Sequence, residues 1–414
     1  MHLIYITFFF VLGACVGSFL NVVVWRLPRG EGLVTPPSHC PKCNHNLAWF
    51  DNIPVFGWIA LGGKCRYCHA PISARYPIIE AITGLLFVLY YLALFVWQMG
   101  PCPVPPMMRP LTIQQDWPLF ALYVFTVSCL LAASLIDLEL YIIPHEIPIL
   151  MTVVGLLVHT IIDRPSMPGS LNVPSRAAAL SAGATIGLLI SLLARWRGWL
   201  KISFPEGEPL LEVDRQAMLE EEQKAKREGR APEFDGPVPP PYTKNEIRAE
   251  MRREMYFLMP PMLLGGLFVI ALMRIPSLDS AWADWMHYDW INGLLGSLLG
   301  GMIGAFVIWL ARIVFTVALG RVAMGLGDVD LMFGVGAILG GSTATIAFFI
   351  SPFFGILLAI YMLITGKRRE LAFGPYLSMA SAFLMIFYCP IAMYLKPGMM
   401  GLAQMISQWI TPGA

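Results

Sequence analysis

Residues 3–24 run without a charged side chain, and similar stretches recur along the whole chain. Crossing roughly 30 Å of hydrocarbon takes about 20 apolar residues in a helix, because a helix satisfies its own backbone hydrogen bonds. Candidate spans lie near 3–24, 78–98, 118–136, 147–162, 177–195, 257–273, 291–313, 331–350, 352–365 and 373–394. Several are short, and the last three run together through Pro352 and Gly366. The expected fold is an all-α polytopic membrane protein with about 8–10 transmembrane helices.

Composition agrees, with 57% hydrophobic and 13% charged residues, against about 25% charged in soluble domains. A formal net charge of +1 points to no acidic partner and no nucleic acid, so membrane lipid is the partner that composition implies. Orientation follows the basic residues of short loops. Arg26, Arg29, Lys42, Lys64, Arg66 and Arg75 separate the first two spans, and Lys367, Arg368 and Arg369 the last two. Both loops are expected to face the cytoplasm.

The first of these loops holds Cys40-Pro41-Lys42-Cys43 and Cys65-Arg66-Tyr67-Cys68. Each Cys-x-x-Cys turn offers two thiolates to one ion, so Cys40, Cys43, Cys65 and Cys68 suit a structural tetrahedral zinc. A redox dithiol would prefer one such turn beside a βαβ pattern, which is not visible here. Four thiolates leave no open position for water, so a zinc-protease reading fails on coordination. Cys15, Cys102, Cys129 and Cys389 lie in apolar stretches or their flanks and read as buried small residues.

The predicted organisation is a first transmembrane helix at 1–25, a cytoplasmic zinc-binding domain at 26–77 and transmembrane helices at 78–195. A charged cytoplasmic insertion at 196–256, further helices at 257–395 and a tail at 396–414 follow. The insertion should open as a solvated helix and continue as a stiff linker through Pro237, Pro239, Pro240 and Pro241. A weak internal echo joins Gly183–Gly187 and Gly300–Gly304, which packed membrane helices also produce.

Two acids sit at expected cytoplasmic span ends. Asp137 closes Ser134-Leu135-Ile136-Asp137, and Asp328 follows Met324-Gly325-Leu326-Gly327. An ionisable group beside hydrocarbon costs about 2.5–3.5 kcal/mol on insertion scales, so such residues are functional candidates. Two carboxylates sharing a proton can hydrolyse a peptide without a covalent intermediate. Gly325 and Gly327, lacking a Cβ, would let the backbone beside Asp328 approach a substrate strand and are the candidate substrate-binding residues.

These residues resemble the type IV prepilin peptidase family. The opening Gly17-Ser18-Phe19-Leu20-Asn21 with Arg26-Leu27-Pro28, the cysteine loop, Pro71-Ile72-Ser73-Ala74-Arg75-Tyr76-Pro77 with Glu80, and Gly-x-Gly-Asp all fit its pattern. The resemblance implies an inner-membrane aspartic endopeptidase that cuts the basic leader of pilin-like precursors on the cytoplasmic side, with Asp137 and Asp328 catalytic. For many relatives it also implies methylation of the new amino terminus with S-adenosylmethionine, although the chain has no Rossmann-type glycine fingerprint to support such a site. It departs from the pattern in carrying Asp330 where lysine is usual and His145 where Asn or Asp is usual, and in segment 177–273, which has no counterpart. Two rivals stay open. One is a catalytically silent zinc-knuckle assembly factor of a pilus or type II secretion system, and the other a proton or cation transporter with its acids nearer the bilayer midplane.

Overall fold

A computed structural model describes residues 2–102, 109–201, 203–204, 212–228, 243–320, 322–365 and 372–410. The element order is α1 (His2–Arg26), α2 (Phe56–Ala60), α3 (Arg75–Tyr91), α4 (Ile113–Leu140), α5 (Glu146–Ile161), α6 (Ser175–Trp196) and α7 (Glu212–Glu228). It continues with α8 (Lys244–Arg274), α9 (Pro276–Trp285), α10 (Asp289–Leu319), α11 (Leu326–Leu339), α12 (Gly341–Thr365) and α13 (Gly374–Ile410). Among the described residues β-structure is limited to isolated bridges in the cysteine loop. Among the described residues, seven helices are long and apolar enough to cross a membrane, and two shorter apolar ones lie at Glu146–Ile161 and Gly341–Ile356. The chain is a multi-pass membrane protein.

One expected break is displaced. The break between spans 331–350 and 352–365 falls at Gly340, not Pro352. Gly340 adopts a φ of 86°, open to a residue without a Cβ, and its N–H caps the carbonyl of Gly336 at 2.9 Å. Pro352 sits inside α12, where the Ser351 hydroxyl donates to the Phe348 carbonyl and satisfies a local backbone group.

The chain divides into two compact units. The first comprises 1–173, 286–305 and 327–414. Its α1 meets α3 through Gly13 and Gly17, where an added Cβ would lie 2.8 Å from Gly84 Cα and 2.7 Å from Glu80 Cα. Small residues four apart let two membrane helices approach to backbone contact. Above that crossing, Phe9, Tyr90, Tyr91, Phe120, Tyr123 and Met385 pack as a core, and Tyr90 Oη donates to the Ala382 carbonyl at 2.9 Å.

The second unit comprises 174–285 and 306–326. Gly183 and Gly187 of α6 abut the backbone of α8 at Leu264 and Pro260. In the first unit, Gly300 and Gly304 of α10 abut Gly336 and Met332 of α11 in the same manner. The sequence echo between these glycine pairs therefore corresponds to a shared helix-crossing device.

The helix expected at 257–273 starts earlier, at Lys244, with Thr243 and Glu246 forming a capping box. Its polar opening buries Glu254, which accepts from Arg312, Trp309 Nε1 (2.7 Å) and Ser203 Oγ (2.9 Å). The fully buried Arg312 also donates to the Met324 carbonyl. Pairing at both ends meets the desolvation cost that a lone buried charge would carry. The expected solvated helix of the insertion is α7, and the proline run, like the Lys367–Arg369 loop, lies outside the described residues.

Candidate active site and metal centre

The two cysteine turns are near-copies. In each, the amide four residues beyond the first cysteine returns to its carbonyl, Asn44 to Cys40 at 2.8 Å and His69 to Cys65 at 3.0 Å. Both returning residues take positive φ, 54° and 56°. Bridges His39–Asn46 and Lys64–Pro71 close the bases of the turns.

This geometry brings all four sulfurs within 4.8 Å of one another, with Cys40–Cys68 at 3.8 Å and Cys43–Cys65 at 4.0 Å. Zinc–sulfur bonds of about 2.3 Å in a tetrahedron separate sulfurs by about 3.8 Å. A disulfide needs about 2.05 Å, so the arrangement suits a metal ion and not two disulfides. The amides of Cys43 and Lys42 pull the Cys40 thiol down to about 6, so it is ready to ligate as thiolate. At Cys68 the Ala70 amide acts in the same direction, but desolvation and the neighbouring sulfurs outweigh it and hold the thiol up at about 11. Sulfurs so close cannot all ionise without a cation among them.

The loop is anchored to the helices beside it. Val55 N–H donates to Glu80 at 2.7 Å, Asp51 is clasped by Arg66 at 2.6 Å, and the buried Arg26 donates to the carbonyls of Gly32 and Pro36. At the start of α3, Arg75 pairs with Glu139 in the last turn of α4. The cysteine loop is thus tied directly to the helix end that carries Asp137.

Asp137 lies in that last turn, 6% exposed. The helix stops because Tyr141 turns left-handed (φ 55°), its N–H caps the Asp137 carbonyl, and Pro144 then sets the direction of the exit. Asp328 is equally buried and sits in the first turn of α11, where the helix dipole favours an acid. Gly325 is half-buried immediately before α11.

Ile143 joins the two aspartate-bearing elements. A Cβ on Gly327 would stand 3.0 Å from Ile143 Cβ, so the glycine preceding Asp328 packs on the segment leaving Asp137. A Cβ on Gly374, at the start of α13, would stand 2.9 Å from Ile143 Cδ1 and 2.6 Å from Asp137 Oδ2. The Gly374 amide donates to the Asp137 carboxylate. Gly374 and Ile143 escaped the sequence reading. Gly374-Pro375 opening a helix was a visible start signal, but not one that pointed to Asp137.

His145 and Asp330 also meet, Nδ1 to Oδ2 at 2.6 Å. These are the two positions at which the chain departs from the pattern the resemblance implies. Asp330 therefore has an imidazole partner.

Residues 11–94 match the bacterial peptidase A24 N-terminal domain, a stretch holding α1, the four cysteines and most of α3. A prepilin leader peptidase/N-methyltransferase of Myxococcus xanthus (strain DK1622) is 38% identical over 196 residues, covering 47% of this chain and 50% of that protein. One from Klebsiella pneumoniae is 48% identical over 89 residues, 20% of this chain and 39% of that protein. A type 4 prepilin-like proteins leader peptide-processing enzyme of Escherichia coli O78:H11 (strain H10407 / ETEC) is 38% identical over 146 residues, 31% of this chain and 46% of that protein. Over these residues the chain is similar to the type IV prepilin peptidase family. It spans half or less of the length of these three curated relatives, and no solved structure matches it. Both the matched domain and the two aspartates fall in the first compact unit.

Proposed function

We propose that the chain is an aspartic endopeptidase that removes the basic leader of pilin-like precursors at the cytoplasmic edge of the inner membrane, with Asp137 and Asp328 as its catalytic pair. The observation that carries this reading is the meeting of the two aspartate-bearing elements at Ile143, beside glycines with little room for a Cβ. Of the two carboxylates, the ionised one takes a proton from water as its oxygen attacks the scissile carbonyl carbon. The protonated one donates to the carbonyl oxygen. Collapse of the tetrahedral species then breaks the C–N bond as the leaving nitrogen takes up a proton. Burial of both acids strengthens their action on developing charge. Gly325 and Gly327 would let the substrate backbone lie close to Asp328, Gly327 having a packing role as well.

Cys40, Cys43, Cys65 and Cys68 would hold a structural zinc that stiffens the loop anchored at Glu80 and Glu139. A second step, methylation of the new amino terminus with S-adenosylmethionine, follows the relatives' names, and no residue is assigned to it. Both acids lie at helix ends, which favours a membrane-edge peptidase over a transporter with midplane acids.

Gly374→Val should lower the cleavage rate at least about tenfold in correctly inserted protein, because a side chain there displaces the Asp137 carboxylate. The rate of leader removal by the purified variant, beside its melting temperature, is the check. With the charged insertion on the cytoplasmic side, a cysteine introduced at the exposed Gln223 in α7 should react with an impermeant thiol reagent in inverted vesicles but not in intact cells.

In cells lacking the chain, a pilin-like precursor should keep its leader, as read by gel mobility and amino-terminal sequencing. The wild-type gene should restore maturation and Asp137→Asn should not. Normal maturation in its absence would overturn the peptidase reading, and full restoration by an Asp137→Asn/Asp328→Asn double variant would favour the assembly-factor reading.

A further inference from the structure

We propose that His145 and Asp330 form a positioning latch that holds the two aspartate-bearing elements in register for the reaction. This rests on the peptidase reading above. His145 immediately precedes α5 after the Tyr141–Pro144 exit from α4, and Asp330 stands in α11 two positions beyond Asp328. Their contact, Nδ1 to Oδ2 at 2.6 Å, joins residues 185 apart in sequence. The same exit segment also touches Gly327 through Ile143. It therefore bears on α11 on both sides of Asp328, once by packing and once by a hydrogen bond. Two contacts of different kinds, flanking one carboxylate, fix both the distance and the rotation of one element against the other.

The pair does not serve overall stability. Its side chains are 71% and 43% exposed, and such surface pairs add little to folding free energy. Register in an active site is another matter, since a displacement of about 1 Å can cost about a hundredfold in rate. The contact is also suited to constant service. An Nδ1–H donates to the Asp330 carboxylate whether the imidazole is neutral or charged, and the bond itself selects that tautomer. Neither side chain needs to touch substrate.

The test uses the purified full-length chain and a precursor peptide carrying a basic leader and apolar helix. His145→Ala and Asp330→Ala should each lower kcat about tenfold, with KM within about twofold of wild type, because the loss lies in alignment and not in substrate binding. The double variant should be no slower than either single, as expected of partners in one interaction. His145→Asn, whose amide can donate from nearly the same place as Nδ1, should stay within about threefold of wild type, and the reversed pair His145→Asp/Asp330→His should recover most of the loss. Wild-type kcat in both alanine variants, losses that multiply in the double, or a fall in kcat that neither His145→Asn nor the reversed pair relieves would overturn the latch. If the alanine variants fail to fold, the His145→Asn and reversed-pair rates decide. A wild-type chain that does not cut the peptide would overturn the peptidase reading, and the latch with it. A wild-type chain that cuts while the alanine variants match it removes only the latch.

Discussion

Asp137→Asn and Asp328→Asn are each expected to lower leader cleavage by at least about a hundredfold while leaving the protein inserted and folded, because general acid–base action contributes about 10²–10⁴ in rate. Asn is nearly isosteric with Asp and can neither take the water proton nor share one. Each carboxylate is buried, so the amide must fit the same space. At Asp137 the Gly374 amide still finds a side-chain oxygen to donate to. Loss of rate without loss of fold is therefore the signature of chemistry at these atoms. The double variant should be no slower than either single, since members of one catalytic unit do not contribute additively. Cleavage by both single variants at the wild-type rate would remove the pair from the mechanism.

The second large effect concerns the metal. Replacing Cys40, Cys43, Cys65 and Cys68 together by Ser should abolish binding of about one zinc per chain and open residues 30–76 to proteolysis, since a loop without a core of its own relies on its ion. Its side-chain contacts include Asp51–Arg66, Arg26 on the Gly32 and Pro36 carbonyls, Val55 on Glu80, and Trp58 on the Ile72 carbonyl. Cleavage should fall as well, because the Arg75–Glu139 pair relates the loop to the helix end holding Asp137. Cys102→Ser should leave zinc content unchanged. Inductively coupled plasma mass spectrometry and limited proteolysis read the two outcomes, and wild-type protease resistance in the quadruple variant would show that the loop needs no ion.

The features legible in the sequence are those whose chemistry is local. Two Cys-x-x-Cys turns announce a four-sulfur site by spacing alone, and the structure gathers the same four sulfurs. Helices were legible wherever apolar residues ran long enough. The start of α8 was not, because Lys244 to Arg253 reads as solvated surface until Glu254 is seen paired with Arg312. The break at Gly340 was hidden for the opposite reason, since Pro352 is the louder local signal while the left-handed glycine passes unmarked in an apolar run.

Around the two aspartates, sequence supplied the acids but not their surroundings. Ile143 against Gly327, Gly374 against Asp137, and His145 on Asp330 are contacts across large separations that no local pattern encodes. His145 and Asp330 were each visible as departures, but not as partners of one another.

Product masses give the sharpest test of the proposed reaction. Purified wild-type chain in lipid, given a pilin-like precursor, should yield two fragments whose masses place the cut between the basic leader and the apolar helix. Addition of S-adenosylmethionine should raise only the helix fragment, by the mass of one methyl group. The Asp137→Asn and Asp328→Asn proteins should return the precursor intact. An uncut precursor with the wild-type chain, or the same two fragments from both variants, would contradict the account.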